Sequence, residues 1–258
     1  MMKGDERELI YVTGDCHAKF HKFNTESFPE QKVMTKSDVV IIAGDFGGVW
    51  DYRGETRSEK YWLNWLNSKP FTTVFVDGNH ENFNRLYEYP VKEWHGGKVH
   101  EIRPSVLHLM RGEVFDIEGI KIFAFGGASS HDISDGILDW DKDRELINKW
   151  SRDPYRLFRV RNMSWWEQEL PTQEEMGHGW DVLEDNNYKV DYIITHSPAS
   201  NLLSAMGYGA SRRDVLTKYL QEVINKVEYK KFIFGHLHED RQLDQKHICL
   251  YDQIIRIT

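Results

Sequence analysis

FIFGHLHED, residues 232–240, begins as an apolar run, breaks at Gly235 and then sets two histidines, His236 and His238, one residue apart. The run has the length and composition of a buried strand. Two imidazoles at the end of a strand pose a question that the other strand ends answer. Further short apolar runs of the same kind are LIYVT (9–13), VVIIA (39–43), TTVFV (72–76), IKIFAF (120–125) and DYIIT (191–195). LIYVT leads into Asp15 and His17, VVIIA into Asp45, TTVFV into Asn79 and His80, and DYIIT into His196. Groups at the carboxyl ends of parallel strands converge even when they are far apart in sequence.

The elements between the runs define the fold class. SEKYWLNWLNSK (58–69) reads as a helix that stops before Pro70. SRRDVLTKYLQEVINKV (211–227) reads as a second, with Ser211 as its cap and Val215, Leu216, Tyr219, Leu220, Val223 and Ile224 on one face. Strands alternating with helices predict an α/β fold with parallel pairing. Residues 99–125 read as four successive strands, and HICLYDQIIRIT (247–258) as two more, both blocks antiparallel. The expectation is a single domain over residues 1–258 with two mixed sheets packed face to face and helices outside.

Residues 127–189 show no clear strand and hold Trp140, Trp150, Trp165, Trp166 and Trp180 together with Arg144, Arg152, Arg156, Arg159 and Arg161. This stretch is expected to be a helical insertion packed by its tryptophans, with a lid over a site as the sharper reading. Pro171 before TQEEM marks a helix start.

The 258 residues carry a formal net charge of −8, which disfavours nonspecific nucleic-acid binding. No apolar stretch approaches the roughly 20 residues of a membrane span. MMKGDERELIYV has no signal core and QIIRIT no lipidation box, so the cytoplasm is the expected location. The two cysteines, Cys16 and Cys249, make no disulfide framework and read as small buried residues.

Two aspartates, an asparagine and four histidines are too many donors for one four-coordinate ion. They suit two divalent cations sharing a carboxylate. In an extended strand end, D-x-H and H-x-H spacings turn both side chains to one side. Asp77, Glu81, Glu239 and Asp240 stand beside these blocks as possible acceptors for ligand imidazoles. His21, His95, His100, His108, His178 and His247 read as surface or core residues. His131, after a Gly-Gly pair, is expected either at the mouth of the site or as a loop residue, and Arg85 either on a phosphate or on a solvated helix face.

Asp15-Cys16-His17, Gly44-Asp45, Gly78-Asn79-His80-Glu81, His196 and Gly235-His236-Leu237-His238 stand in this order along the chain. In this the sequence resembles the calcineurin-like metallophosphoesterase superfamily. Ala18 stands where that family often has glycine, and the Asp-Arg pair of its protein phosphatases is missing after Asp45, which points toward a small bacterial-type phosphoesterase. The resemblance implies a four-layer α-β-β-α sandwich. It implies a first metal on Asp15, His17, Asp45 and His238, and a second on Asn79, His196 and His236 with Asp45 bridging. Manganese is expected, with iron, zinc, nickel or magnesium compatible. The implied reaction is hydrolysis of a small phosphate mono- or diester by metal-activated hydroxide, His80 protonating the leaving oxygen or stabilising charge on phosphorus. A catalytically inactive scaffold of the same fold and a nuclease are the competing classes.

Overall fold

The structure, a computed structural model, describes residues 8–209 and 212–258. Every apolar run named above forms a strand. The first half of the chain gives β1 (Ile10–Thr13), β2 (Val39–Ala43), α1 (Arg57–Asn67), β3 (Thr72–Val76), the single turn α2 (Phe83–Leu86), β4 (Val91–Trp94), β5 (Gly97–Arg103) and β6 (Val106–Leu109). β7 (Glu113–Ile117), β8 (Ile120–Phe125), β9 (Gly136–Leu138), α3 (Arg144–Trp150), β10 (Phe158–Val160) and α4 (Gln173–Asp185) follow. The chain continues through β11 (Tyr192–Thr195), α5 (Ser200–Ala205), α6 (Val215–Lys226), β12 (Lys231–Phe234), β13 (Arg241–Gln242), β14 (His247–Cys249) and β15 (Ile254–Arg256).

Two large mixed sheets result. One runs β15-β1-β2-β3-β6-β5-β4 and the other β13-β14-β12-β11-β8-β7. The strands that lead to the motif residues lie inside the parallel parts: β1, β2 and β3 in the first sheet, β11 and β12 in the second. Alternation along each strand sorts its side chains into layers. Ile10, Val12, Ile41 and Val74 of one sheet meet Ile122, Ala124, Ile194 and Ile233 of the other in a shared core. Tyr11, Val40, Ile42 and Phe75 face outward to Leu63 and Leu66 of α1 and Phe83 and Leu86 of α2. Phe123, Phe125, Phe232 and Phe234 face Met176 and Leu183 of α4 and Leu216, Tyr219, Leu220 and Val223 of α6. The order of layers is helix, sheet, sheet, helix.

α1 and α4 both start with a capping box, Thr56 with Glu59 and Thr172 with Glu175. The cap assigned to Ser211 lies outside the described residues; α6 starts at Val215 with Asp214 as its cap. Val215, expected on the buried face of α6, is exposed. Among the described residues no helix is long and apolar enough to cross a membrane.

Two expectations need correction. Residues 127–189 are not purely helical, because β9 and β10 pair in a parallel two-stranded ladder with Arg159 opposite Ile137. Three-residue strands are too short for a period to register. Leu138, Ile147 and Val160 give this region a small core of its own, while Trp166 is fully buried in the main core beside Trp50. The C-terminal block is also not wholly antiparallel: β14 pairs parallel with β12 and antiparallel with β13, and β15 crosses to the other sheet beside β1.

Candidate metal centre

The strand ends deliver their polar residues to one place at the seam between the sheets. Asp15, His17, Asp45 and His238 form one group, and Asp45, His196 and His236 a second, the donor atoms in each lying within 4.8 Å of one another. Asp45 belongs to both. His17 Nε2 lies 3.7 Å from Asp15 Oδ2 and 3.6 Å from Asp45 Oδ2. His238 Nε2 is 3.2 Å from Asp15 Oδ2, and His196 Nε2 is 3.3 Å from Asp45 Oδ1.

The backbone reaches this geometry through turns, which corrects the expectation of extended strand ends. His17, Asp45, His236 and His238 have φ of 46°, 43°, 71° and 53°. Such left-handed conformations cost roughly 1–3 kcal/mol each for non-glycine residues and cluster at functional sites. The backbone N–H groups of Cys16 and His17 both donate to the Asp45 carbonyl, at 3.0 and 2.8 Å. The carboxylates are steadied in turn: Asp45 Oδ1 accepts from the His80 N–H at 2.8 Å, and Asp15 Oδ1 from the His236 N–H at 2.9 Å. A Cβ on Gly44 would overlap the His196 ring, and one on Gly78 the Asp45 carboxylate. The glycines of these blocks are therefore space for the side chains that converge there.

The donors fit a pair of cations. His17 Nε2 and His238 Nε2 stand 3.0 Å apart, and His196 Nε2 and His236 Nδ1 3.2 Å apart, so each pair needs either a proton or a cation between its nitrogens, and both pairs present nitrogens to one point. Asp15 Oδ2 and Asn79 Oδ1 are buried with no hydrogen-bond partner among the described residues. Orphaned buried acceptors of this kind are costly unless an ion satisfies them. Burial alone would raise the Asp45 carboxyl, but the facing His196 outweighs it and holds Asp45 well below the usual carboxylate range. Burial likewise opposes charge on His196, yet Asp45 and Asp15 raise its pKa above the ordinary imidazole value. Burial and the neighbouring His196 push His236 well down, which leaves a neutral ring suited to ligation.

The orientation of His196 is set by its Nδ1, 2.8 Å from the Ala43 carbonyl. Among the described residues, none of the four acids expected as acceptors bonds a site imidazole. Asp77 pairs with Arg111 and His108, Glu239 lies by Arg241, and Asp240 accepts from Tyr251 and Gln253. Glu81 Oε1 takes the N–H of Phe46 at 2.7 Å and of Gly47 at 3.3 Å, stapling the turn after Asp45.

His80 stands beside the cluster. Its ring meets His17 edge-on at 4.6 Å and stacks on Trp50 at 5.3 Å. Burial, reinforced by Arg159 and His17 against the opposing pull of Asp45, pushes its pKa down to about 4. His131 reaches the mouth of the site, its ring 4.4 Å from that of His236. Arg85 does not join: Nη1 donates to Glu59 Oε1 at 2.9 Å and to the Asp51 carbonyl at 2.8 Å, which corrects its assignment to a phosphate.

Three residues that the sequence did not single out do join. Arg159 of β10 reaches His80 with Nη2 at 3.1 Å from Nε2. Ser130 Oγ lies 3.4 Å from Asn79 Nδ2, and Glu169 Oε2 accepts from that hydroxyl at 2.7 Å. All three come from the 127–189 stretch, and its cluster of arginines was the only signal that could have pointed there.

The calcineurin-like phosphoesterase family model matches residues 9–240, the whole span that carries the converging groups. The chain belongs to this family. Lariat debranching enzyme of Schizosaccharomyces pombe is 24% identical over 244 residues, covering 89% of this chain and 48% of that one. Lariat debranching enzyme A of Xenopus laevis is 30% identical over 141 residues, 49% of this chain and 25% of that one. The chain thus spans about half or less of the length of these curated relatives. A putative 5'-nucleotidase from Staphylococcus aureus is similar at 14% identity and a TM-score of 0.46, over 97% of this chain and 50% of that one.

Proposed function

We propose that this member of the calcineurin-like phosphoesterase family hydrolyses phosphate esters with two divalent metal ions, manganese first among them. The observation that carries the reading is the pair of donor groups sharing Asp45. Asp15, His17, Asp45 and His238 would hold one ion, and Asn79, His196 and His236 the other with Asp45 between them. Ions bound there supply charge neutralisation at phosphate and activation of water near neutral pH.

The chain's own residues do the rest. Asp45, fixed by the His80 N–H, holds the two donor groups in register. Trp50 covers one face of the His80 ring and keeps water from it. Arg159, which has only donors, faces His80 Nε2, so the proton of the neutral ring sits on Nδ1. This supports the second of the two roles expected of His80, a hydrogen-bond donor to charge developing at the phosphorus centre. His131, beside His236, borders the space a substrate would enter.

The complete donor set with His80 in place argues against an inactive scaffold. A nuclease is the second reading, and the similarity to lariat debranching enzymes favours it over a hydrolase of small monoesters. The deciding experiment compares manganese-dependent hydrolysis of mono- and bis-aryl phosphates by wild type, His80→Ala and Asp45→Asn, with metal content measured for each. His80→Ala is expected to keep its metal and lose about 100-fold or more in turnover; Asp45→Asn is expected to lose metal as well. A manganese-loaded wild type that cleaves neither ester would overturn the reading. A salt-dependent gel shift with single-stranded DNA tests the nuclease branch.

A further inference from the structure

Arg159 is anchored in an unusual way for a residue with no part in the expected site. It is 6% exposed, on a strand too short to be held by its own ladder. Its Nε donates to Asp132 Oδ1 at 2.7 Å and its Nη1 to the Ser164 carbonyl at 3.0 Å. The remaining corner, Nη2, is turned to His80, and only one of its two N–H groups has a partner among the described residues. Two corners thus hold the guanidinium rigid while the third is presented one imidazole away from His17 and the metal-binding donors. A buried charge that keeps one donor in reserve beside a catalytic imidazole is arranged for an anion. Asp132, the one carboxylate it pairs with among the described residues, has a half-exposed side chain and leaves that charge partly uncompensated.

We propose that Arg159 is a substrate-binding residue of this site, its Nη2 corner taking a non-bridging oxygen of the phosphate ester beside His80. The inference rests on the phosphoesterase reading and deepens it. The metal-binding groups meet the phosphate from the strand-end side; Arg159 meets it from the β9–β10 ladder, across His80. It takes the phosphate role that was one of two readings for Arg85, whose guanidinium is committed to Glu59. The inserted stretch is then part of the active site, and loss of the Arg159 side chain alone would leave the metals in place and the phosphate with one side unheld.

The test uses the manganese-loaded chain, with inorganic phosphate as ligand and both aryl esters as substrates. Arg159→Ala is expected to keep two metals, to weaken phosphate binding in calorimetry about tenfold and to lower kcat/KM about 100-fold. On a His80→Ala background it should still weaken phosphate binding, because the contact is direct. Arg159→Lys should recover part of the affinity, since charge survives and the fork does not. Equal phosphate affinity in wild type and Arg159→Ala overturns the proposal whatever the turnover. So does an effect that vanishes on the His80→Ala background, or one accompanied by loss of metal, which would make Arg159 a packing residue. If Arg159→Ala does not fold, Arg159→Lys decides: unchanged phosphate affinity overturns the contact, a several-fold loss supports it. A wild type that binds phosphate with Arg159 but cleaves neither ester sinks the reaction and leaves the contact standing.

Discussion

An amide is an ambiguous ligand, because one end offers lone pairs and the other two protons. At Asn79 the ambiguity is resolved from outside its own motif. Glu169 Oε2 takes both the N–H and the O–H of Ser130, at 3.1 and 2.7 Å. With its hydroxyl proton committed, Ser130 Oγ can only accept from Asn79 Nδ2, and Asn79 Oδ1 is left as the buried lone pair for a cation. Ser130→Ala should therefore weaken one of the two manganese sites about tenfold while sparing the other. Titration calorimetry on metal-free protein reads this directly, and two unchanged affinities would refute the arrangement. The motif glycines make a harder prediction. Gly44 sits at φ +91° with the His196 ring where a Cβ would be. Gly44→Ala should cost about 2 kcal/mol or more in urea unfolding and reduce bound manganese, since the ring must move. At this scale the donor residues were legible, because a short polar block after an apolar run is a local pattern. Ser130, Arg159 and Glu169 were not, because they reach the site through contacts with residues 39 to 79 positions away, and no local pattern marks those.

Among elements, a buried ion pair joins the strand that leads to Asn79 with the helix that caps the second sheet. Asp77 follows β3, and Arg111 lies between β6 and β7. Arg111 Nη2 meets Asp77 Oδ2 at 2.6 Å, Nη1 meets Glu175 of α4 at 3.4 Å, and Nη2 also reaches the Gln168 carbonyl at 2.7 Å. Burial would raise Asp77, but Arg111 and the His108 hydrogen bond hold it well below the usual carboxylate range. Removing one member leaves the other's charge in the interior with only its weaker partner, His108 for Asp77 or Glu175 for Arg111. Arg111→Met should cost about 3–5 kcal/mol, and adding Asp77→Asn should return much of it. Urea unfolding of the two single variants and the double variant gives the coupling; simple additivity would contradict it. The strands of the two sheets could be read because runs of four to six β-branched and aromatic residues are strong signals. β9 and β10 could not, and the direction of β14 is a tertiary choice, made when it took the open edge of β12.

Across the whole molecule, the site exists only because two sheets share one core. Ile41 and Val74 from one half of the chain pack with Ile194 and Ile233 from the other, and the strand ends beyond them meet as a consequence. The sandwich could be read from the pattern of runs, but the groups that govern its response to pH could not, because burial sets them. Two such groups act with opposite sign. Burial and the adjacent His108 push His100 down to about 4, from an ordinary imidazole value near 6.5. The folded state resists protonating it, so its contribution is full above pH 6.5 and is lost as pH falls toward 4. Burial pushes Glu169 up to about 8 against an ordinary 4.5. The folded state keeps this proton longer than the unfolded chain does, so here stability is lost as pH rises from 4.5 to 8. Urea unfolding of metal-free protein across pH 4 to about 9.5 should separate the two. The difference between wild type and His100→Gln should be flat above pH 6.5 and change only below it. The difference for Glu169→Gln should grow in favour of the variant up to pH 8 and then level off. A Glu169→Gln difference that is constant with pH would mean the carboxyl is ionised in the fold; Ser130 would then face a full negative charge, and the tie that orients Asn79 would be stronger than a neutral hydrogen bond.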